Sequence, residues 1–124
     1  MQVLKFGGSS VGTPEAISKV IAIVKERVQT TPTIVVVSAM SGVTDQLILL
    51  AQSASQGNEA YKTIIQNLEQ KHLDAVRALL PIQQQSGTLS MVKQLINEIE
   101  SNCDGLFMLR ELTMRMQDRL ISYG

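Results

Sequence analysis

Gln2-Val3-Leu4-Lys5-Phe6-Gly7-Gly8-Ser9-Ser10-Val11-Gly12-Thr13-Pro14 opens the chain and decides how the rest of it is read. Residues 2–6 have the composition of a short strand. Thr13 followed by Pro14 is a helix start, with the threonine hydroxyl as cap and the proline at the first helical position. Between strand and helix lie a lysine and a run of small, donor-rich residues. Glycine lets a backbone approach a ligand closely or adopt positive φ, and unpaired amides at a helix start turn partial positive charge toward an anion. Lys5 adds a full charge at the strand end, so a phosphate fits there. The plainer reading of the same residues is a flexible Gly-Gly-Ser loop and a solvated lysine.

Spacing excludes two familiar phosphate motifs. Gly7 and Gly12 are separated like the outer glycines of a P-loop, but Thr13-Pro14 follows where Lys-Ser/Thr is required. No Gly-x-Gly-x-x-Gly follows either candidate strand, which removes the dinucleotide fingerprint. A lysine placed ahead of the glycines implies a different nucleotide-binding architecture.

Beyond Thr13, Ile17, Val20, Ile21, Val24 and Val28 recur at helical spacing until Thr30-Thr31-Pro32 stops them. Thr33-Ile34-Val35-Val36-Val37-Ser38 is β-branched and apolar on both faces, which predicts a buried parallel strand. The two strands and the helix form a β-α-β unit with a right-handed crossover. After Ser41 the pattern is helical. Thr44 and Asp45 start one helix, with Leu47, Ile48, Leu50 and Ala51 inward, and Gly57-Asn58 ends it. A second runs from Glu59 to Leu80 with Ile64, Ile65, Leu68, Val76 and Leu79 inward, and Pro81 closes it. Gln83-Gln84-Gln85-Ser86-Gly87 reads as a polar loop. Thr88 opens a helix through Met91, Val92, Leu95, Ile96 and Ile99, and Asp104 caps a last one through Leu109, Leu112, Met116 and Leu120. Two strands alone rarely make a stable sheet, so further strands are expected, from a partner or from sequence beyond these residues, the second being favoured.

The chain of 124 residues is 44% hydrophobic, enough for a real core. Eleven basic and eleven acidic side chains cancel and are scattered, and aromatics make up 3%, so neither a nucleic-acid footprint nor a base-stacking platform is present. One cysteine, Cys103, cannot form an internal disulfide. With no signal-peptide pattern and no apolar run of membrane-spanning length, the expectation is a cytoplasmic protein. His72 has no His or Cys at ligand spacing, and no protein metal site is expected. The six methionines read as ordinary helix packing, and Arg110, Arg115 and Arg119 as one solvated helix face.

Ser38-Ala39-Met40-Ser41-Gly42-Val43-Thr44-Asp45 forms the second informative segment. In open α/β sheets ligands bind beyond the carboxyl ends of the strands, where both this segment and the Lys5 loop lie. Its hydroxyls can hold a substrate carboxylate, or Thr44 can simply cap the next helix while Ser38 sits in a tight turn.

Val3-Leu4-Lys5-Phe6-Gly7-Gly8-Ser9-Ser10-Val11, then Val37-Ser38-Ala39-Met40-Ser41-Gly42-Val43-Thr44, then Leu109-Arg110-Glu111-Leu112 and Ser122-Tyr123-Gly124 resemble, in that order, the aspartokinases of the amino-acid-kinase superfamily. The resemblance implies a three-layer α/β/α, carbamate-kinase-like fold, with residues 1–124 as the N-terminal portion of a longer catalytic domain. It implies transfer of the γ-phosphoryl of ATP to the side-chain carboxylate of L-aspartate, giving 4-phospho-L-aspartate on the route to lysine, threonine and methionine, with Mg2+ arriving on the nucleotide. By resemblance Lys5 contacts the phosphates, assisted by Gly7, Gly8, Ser9 and Ser10, while Ser38 and Thr44 hold aspartate. The family places a substrate-binding glutamate directly after Ser-Tyr-Gly, one position past Gly124. Residues 1–124 alone are therefore expected to be inactive, and to pair with a second copy through exposed sheet, in a family of homo-oligomers. The short lead before the strand resembles the form fused to homoserine dehydrogenase. Rival readings are another amino-acid kinase acting on glutamate, acetylglutamate or uridylate, and a non-catalytic helical interaction module.

Overall fold

A computed structural model describes residues 1–124. The chain divides into two compact units, residues 1–42 and 43–124.

The first unit is the β-α-β motif. Strand β1 (Gln2–Phe6), helix α1 (Pro14–Val28) and strand β2 (Thr33–Val37) follow in order, and the strands pair in parallel with Gln2 opposite Thr33 and Phe6 opposite Val37. Thr13 caps α1: its backbone is extended and its Oγ1 accepts from the Ala16 N–H at 3.1 Å. The ladder continues past both strand ends, with the Gln2 N–H donating to the Pro32 carbonyl at 2.9 Å and the Ser38 N–H donating to that of Phe6 at 3.1 Å. In-register pairing therefore brings the Gly7 and Ser38 loops out side by side.

Burial departs from the expectation for β2. Ile34, Val35, Val36 and Val37 are all exposed, Val37 at 57%, and in α1 Val20 is buried while Ile21 and Val28 face solvent. The cause is geometric. A sheet has two faces, and this unit supplies one helix, α1, packed on β2. An apolar run on both faces of a strand needs two covering layers.

The second unit is helical: α2 (Val43–Ser55), α3 (Ala60–Leu79), a short 3-10 turn (Ile82–Gln84), α4 (Gln85–Leu109) and α5 (Met114–Ile121). Leu47, Leu50, Ala51 and Ala54 of α2 are buried with Tyr61, Ile65 and Leu68 of α3, Ile96, Ile99, Cys103 and Leu106 of α4, and Leu120 of α5. Gly57 ends α2 at a φ of 71°, and the Asn58 N–H reaches back to the Ser53 carbonyl at 2.9 Å, closing the last turn.

Four expectations are corrected. Residues 83–87 are the 3-10 turn and the first turn of α4, with the Gln85 side-chain amide donating to the Leu80 carbonyl at 2.8 Å. Asp104 caps nothing: α4 runs through it to Leu109, because Ile96, Ile99, Cys103 and Leu106 keep one buried stripe, and its carboxylate accepts from the Tyr61 hydroxyl at 2.6 Å. The break comes at Arg110, left-handed at a φ of 52°, and Thr113 caps α5 by accepting from the Met116 N–H at 3.1 Å. Arg110 is thus outside the helix carrying Arg115 and Arg119, and Met91, Met108 and Met114 are exposed rather than packed.

Candidate active site

At the carboxyl ends of β1 and β2, Lys5, Phe6 and Gly7 line a cleft with Val36, Val37 and Ser38. Its volume is about 290 Å³, near the lower bound of typical small-molecule sites, so it takes part of a ligand rather than a whole nucleotide with a co-substrate. Lys5 is exposed at the strand end, opposite Val36 in the ladder. The loop behind it is compact: the Ser10 N–H donates to the Gly7 carbonyl at 3.0 Å, and Val11 is buried beneath.

The glycines of this loop serve close approach rather than unusual backbone angles. Positive φ occurs at Gly42 and Gly57, not at Gly7, Gly8 or Gly12. A Cβ on Gly8 would stand 3.3 Å from the Ala39 carbonyl oxygen and 3.5 Å from Ser38 Oγ. One on Gly12 would stand 3.0 Å from Ser41 Cβ and 3.1 Å from the Gly8 carbonyl oxygen, whereas one on Gly7 would meet nothing within 4 Å. The glycine loop therefore rests on the segment after β2. The Ser38 hydroxyl donates to the Ala39 carbonyl at 2.9 Å and leaves its lone pairs available as acceptors.

Of the residues singled out from sequence, the first unit brings Lys5, Gly7, Gly8 and Ser38 together, with Ser9 and Ser10 in the same loop. Thr44 belongs to the second unit, where it lies inside the first turn of α2 rather than ahead of it, exposed, after Gly42 at a φ of 81°. Sequence reading missed that a side chain at Gly12 would strike Ser41. Gly12 was legible only as a glycine of a P-loop that fails.

Another concave surface has much of its polar lining engaged within the protein. A polar groove of about 550 Å³ on the second unit is lined by Lys93, Asn97, Glu98, Arg119 and Tyr123, but it is shallow. Lys93 is paired with Glu69 at 2.7 Å, and the Tyr123 hydroxyl donates to Glu98 at 2.9 Å. His72 is engaged through Nδ1 with the Leu68 carbonyl at 2.7 Å. Burial pushes the Cys103 thiol from its ordinary 9.0 up to about 12, helped by the Asp104 and Glu100 carboxylates, which is the opposite of a nucleophile's environment. Burial likewise raises the Tyr61 hydroxyl, which holds its proton against Asp104 while its ring lies 5.6 Å from that of Phe107.

A strand-end lysine, a loop of small residues and a hydroxyl on the adjacent strand end thus lie together at one edge of an α/β unit. A sequence model of the Amino acid kinase family matches residues 1–121, and the chain belongs to that family. Aspartokinase 1, chloroplastic, of Arabidopsis thaliana is 30% identical over 125 residues, covering 98% of this chain and 21% of its own length. A bifunctional aspartokinase/homoserine dehydrogenase 2, chloroplastic, of Zea mays is 29% identical over 126 residues, covering 98% of this chain and 13% of its own length. In three dimensions the whole chain superposes on 26% of E. coli aspartokinase III in complex with aspartate and ADP, with a TM-score of 0.75 at 24% identity. The chain thus has the fold of that part of an aspartokinase, and spans about a fifth or less of the curated relatives just described. No helix is long and apolar enough to cross a membrane.

Proposed function

We propose that residues 1–124 form the N-terminal portion of the catalytic domain of an aspartate kinase, which moves the γ-phosphoryl of ATP onto the side-chain carboxylate of L-aspartate. The observation that carries this reading is the convergence of Lys5, the Gly7–Gly8 loop and Ser38 on one cleft at the sheet's carboxyl edge. Lys5 neutralises charge on the transferring phosphoryl group, and the loop from Gly7 to Ser10 lends amides and hydroxyls to the phosphates. Ser38 and Thr44 receive aspartate. Phosphoryl transfer needs alignment and charge stabilisation more than proton shuttling, so the lack of an acid–base pair beside Lys5 is in keeping with the chemistry. Mg2+ would arrive with the nucleotide and supply charge neutralisation at its phosphates, and no side chain of this unit is assigned to it. Stand-alone and fused relatives match about equally well, and the proposal concerns the kinase reaction common to both.

The location proposed is the cytoplasm. The exposed apolar residues of β2 and the free edges of a two-stranded sheet favour pairing with a second copy when residues 1–124 stand alone, without useful kinase activity.

The test is ATP-dependent acyl-phosphate formation by the uninterrupted gene product, trapped with hydroxylamine, across aspartate, glutamate and acetylglutamate. Signal with aspartate alone, lost in Lys5→Ala, supports the reading. Signal with another acceptor transfers the site to a different amino-acid kinase, and none with any acceptor leaves the helical interaction module.

A further inference from the structure

We propose that Gly12 is a positioning residue for the phosphate-acceptor side of the reaction, because its lack of a side chain lets the loop after β1 close on Ser41. The inference rests on the aspartate kinase reading. Gly12 has no positive φ, so its backbone does not require glycine; the space does. Its missing Cβ would lie 3.0 Å from Ser41 Cβ, where carbon contacts ordinarily stand at about 3.5–4.0 Å. The other close atom is the Gly8 carbonyl oxygen at 3.1 Å, and Gly8 in turn sits against Ser38 Oγ and the Ala39 carbonyl. A side chain at Gly12 would strike Ser41, and one at Gly8 would press on Ala39 and Ser38. The two bare glycines therefore let the loop after β1 stand close to the segment after β2, although 25 residues or more lie between them in sequence. In the proposed reaction the first loop carries the phosphoryl donor and the second the acceptor carboxylate. In-line transfer depends on that separation, and a misplacement of about 1 Å can cost on the order of a hundredfold in rate.

A methyl group at Gly12 must displace Ser41 by about half an ångström to restore ordinary contact, so Gly12→Ala is expected to lower kcat/KM for aspartate about tenfold. ADP affinity should fall by less than kcat/KM for aspartate, because the larger overlap of the methyl group is with Ser41 Cβ, at 3.0 Å between two carbons, and the smaller is with the Gly8 carbonyl oxygen at 3.1 Å. Ser41→Gly removes the atom that the methyl strikes, so the double variant Gly12→Ala/Ser41→Gly should recover most of the loss when compared with Ser41→Gly alone.

The experiment uses the uninterrupted gene product carrying each variant. Steady-state kinetics in both substrates and calorimetric ADP binding are combined with hydrogen exchange at residues 38–42. Faster exchange in that segment, an aspartate-side loss and rescue by Ser41→Gly support the proposal. Equal losses of ADP affinity and aspartate kcat/KM, an unchanged enzyme, or a double variant without rescue each overturn it. If the parent protein shows no aspartate-dependent transfer, the kinase reading fails instead. Should Gly12→Ala not fold, Ser41→Thr presses on the same contact from the other side and carries the same expectation.

Discussion

Alkaline lability of the helical unit follows from two buried groups on facing helices. Cys103 is fully buried, and its thiol is raised from 9.0 to about 12 by burial first and by the Asp104 and Glu100 carboxylates after it. Tyr61 is raised above its ordinary 10.0 by burial first, then by its hydrogen bond to Asp104. Both groups are neutral when protonated and hold their protons more tightly folded than unfolded. Their contribution is fully present below the unfolded values, near 9 and 10, and is lost as pH rises toward the folded ones. Each pH unit in which only the unfolded chain has released a proton costs about 1.4 kcal/mol per group. From pH 9 to 10.5, Cys103 therefore costs about 2 kcal/mol, and Tyr61 adds a little under about 1 kcal/mol above pH 10. Urea denaturation at pH 8 and 10.5, followed by helical circular dichroism, should show the wild type losing more stability than Cys103→Ala by about 2 kcal/mol. The variant starts lower at pH 8, so the difference between the two pH values is the quantity read. Equal losses in wild type and variant, or rapid labelling of Cys103 by a thiol reagent in the folded protein, would refute the reasoning.

Two further outcomes can be checked on simple variants. Gly57→Ala should destabilise the helical unit by about 1–2 kcal/mol in urea titration, since a side chain is strained at a φ of 71° and its Cβ would lie 2.9 Å from Arg110 Nε. Residues 1–124 alone should self-associate in sedimentation velocity, and Val36→Lys should shift them toward monomer by placing a charge on the exposed strand; a well-packed wild-type monomer would count against the exposed-sheet reading.

The β-α-β unit was legible because its signals are local. Thr13 and Pro14 mark the start of α1, Pro32 precedes β2, and β-branched residues dominate β2. Burial was not legible there, since whether Val36 is covered depends on how many layers reach the strand, which no window of sequence states. Asp104 illustrates the reverse failure. Its cap signal was genuine, but a hydroxyl 43 positions earlier in the chain claimed the carboxylate, and the buried stripe through Cys103 carried the helix on. In the candidate site, Lys5 and its glycines were readable from composition and order. The lack of room for a side chain at Gly8 against Ser38 and at Gly12 against Ser41 was not, because it depends on distances across the turn of a fold.

In the proposed reaction the cleft at the ends of β1 and β2 binds the phosphates through Lys5 and places aspartate against them at Ser38. A crystal structure of the uninterrupted gene product with ADP and aspartate tests it most directly. Lys5 Nζ is expected within hydrogen-bond distance of a phosphate oxygen and Ser38 Oγ within the same reach of the aspartate. A nucleotide bound elsewhere, with Lys5 pointing into solvent, would contradict it.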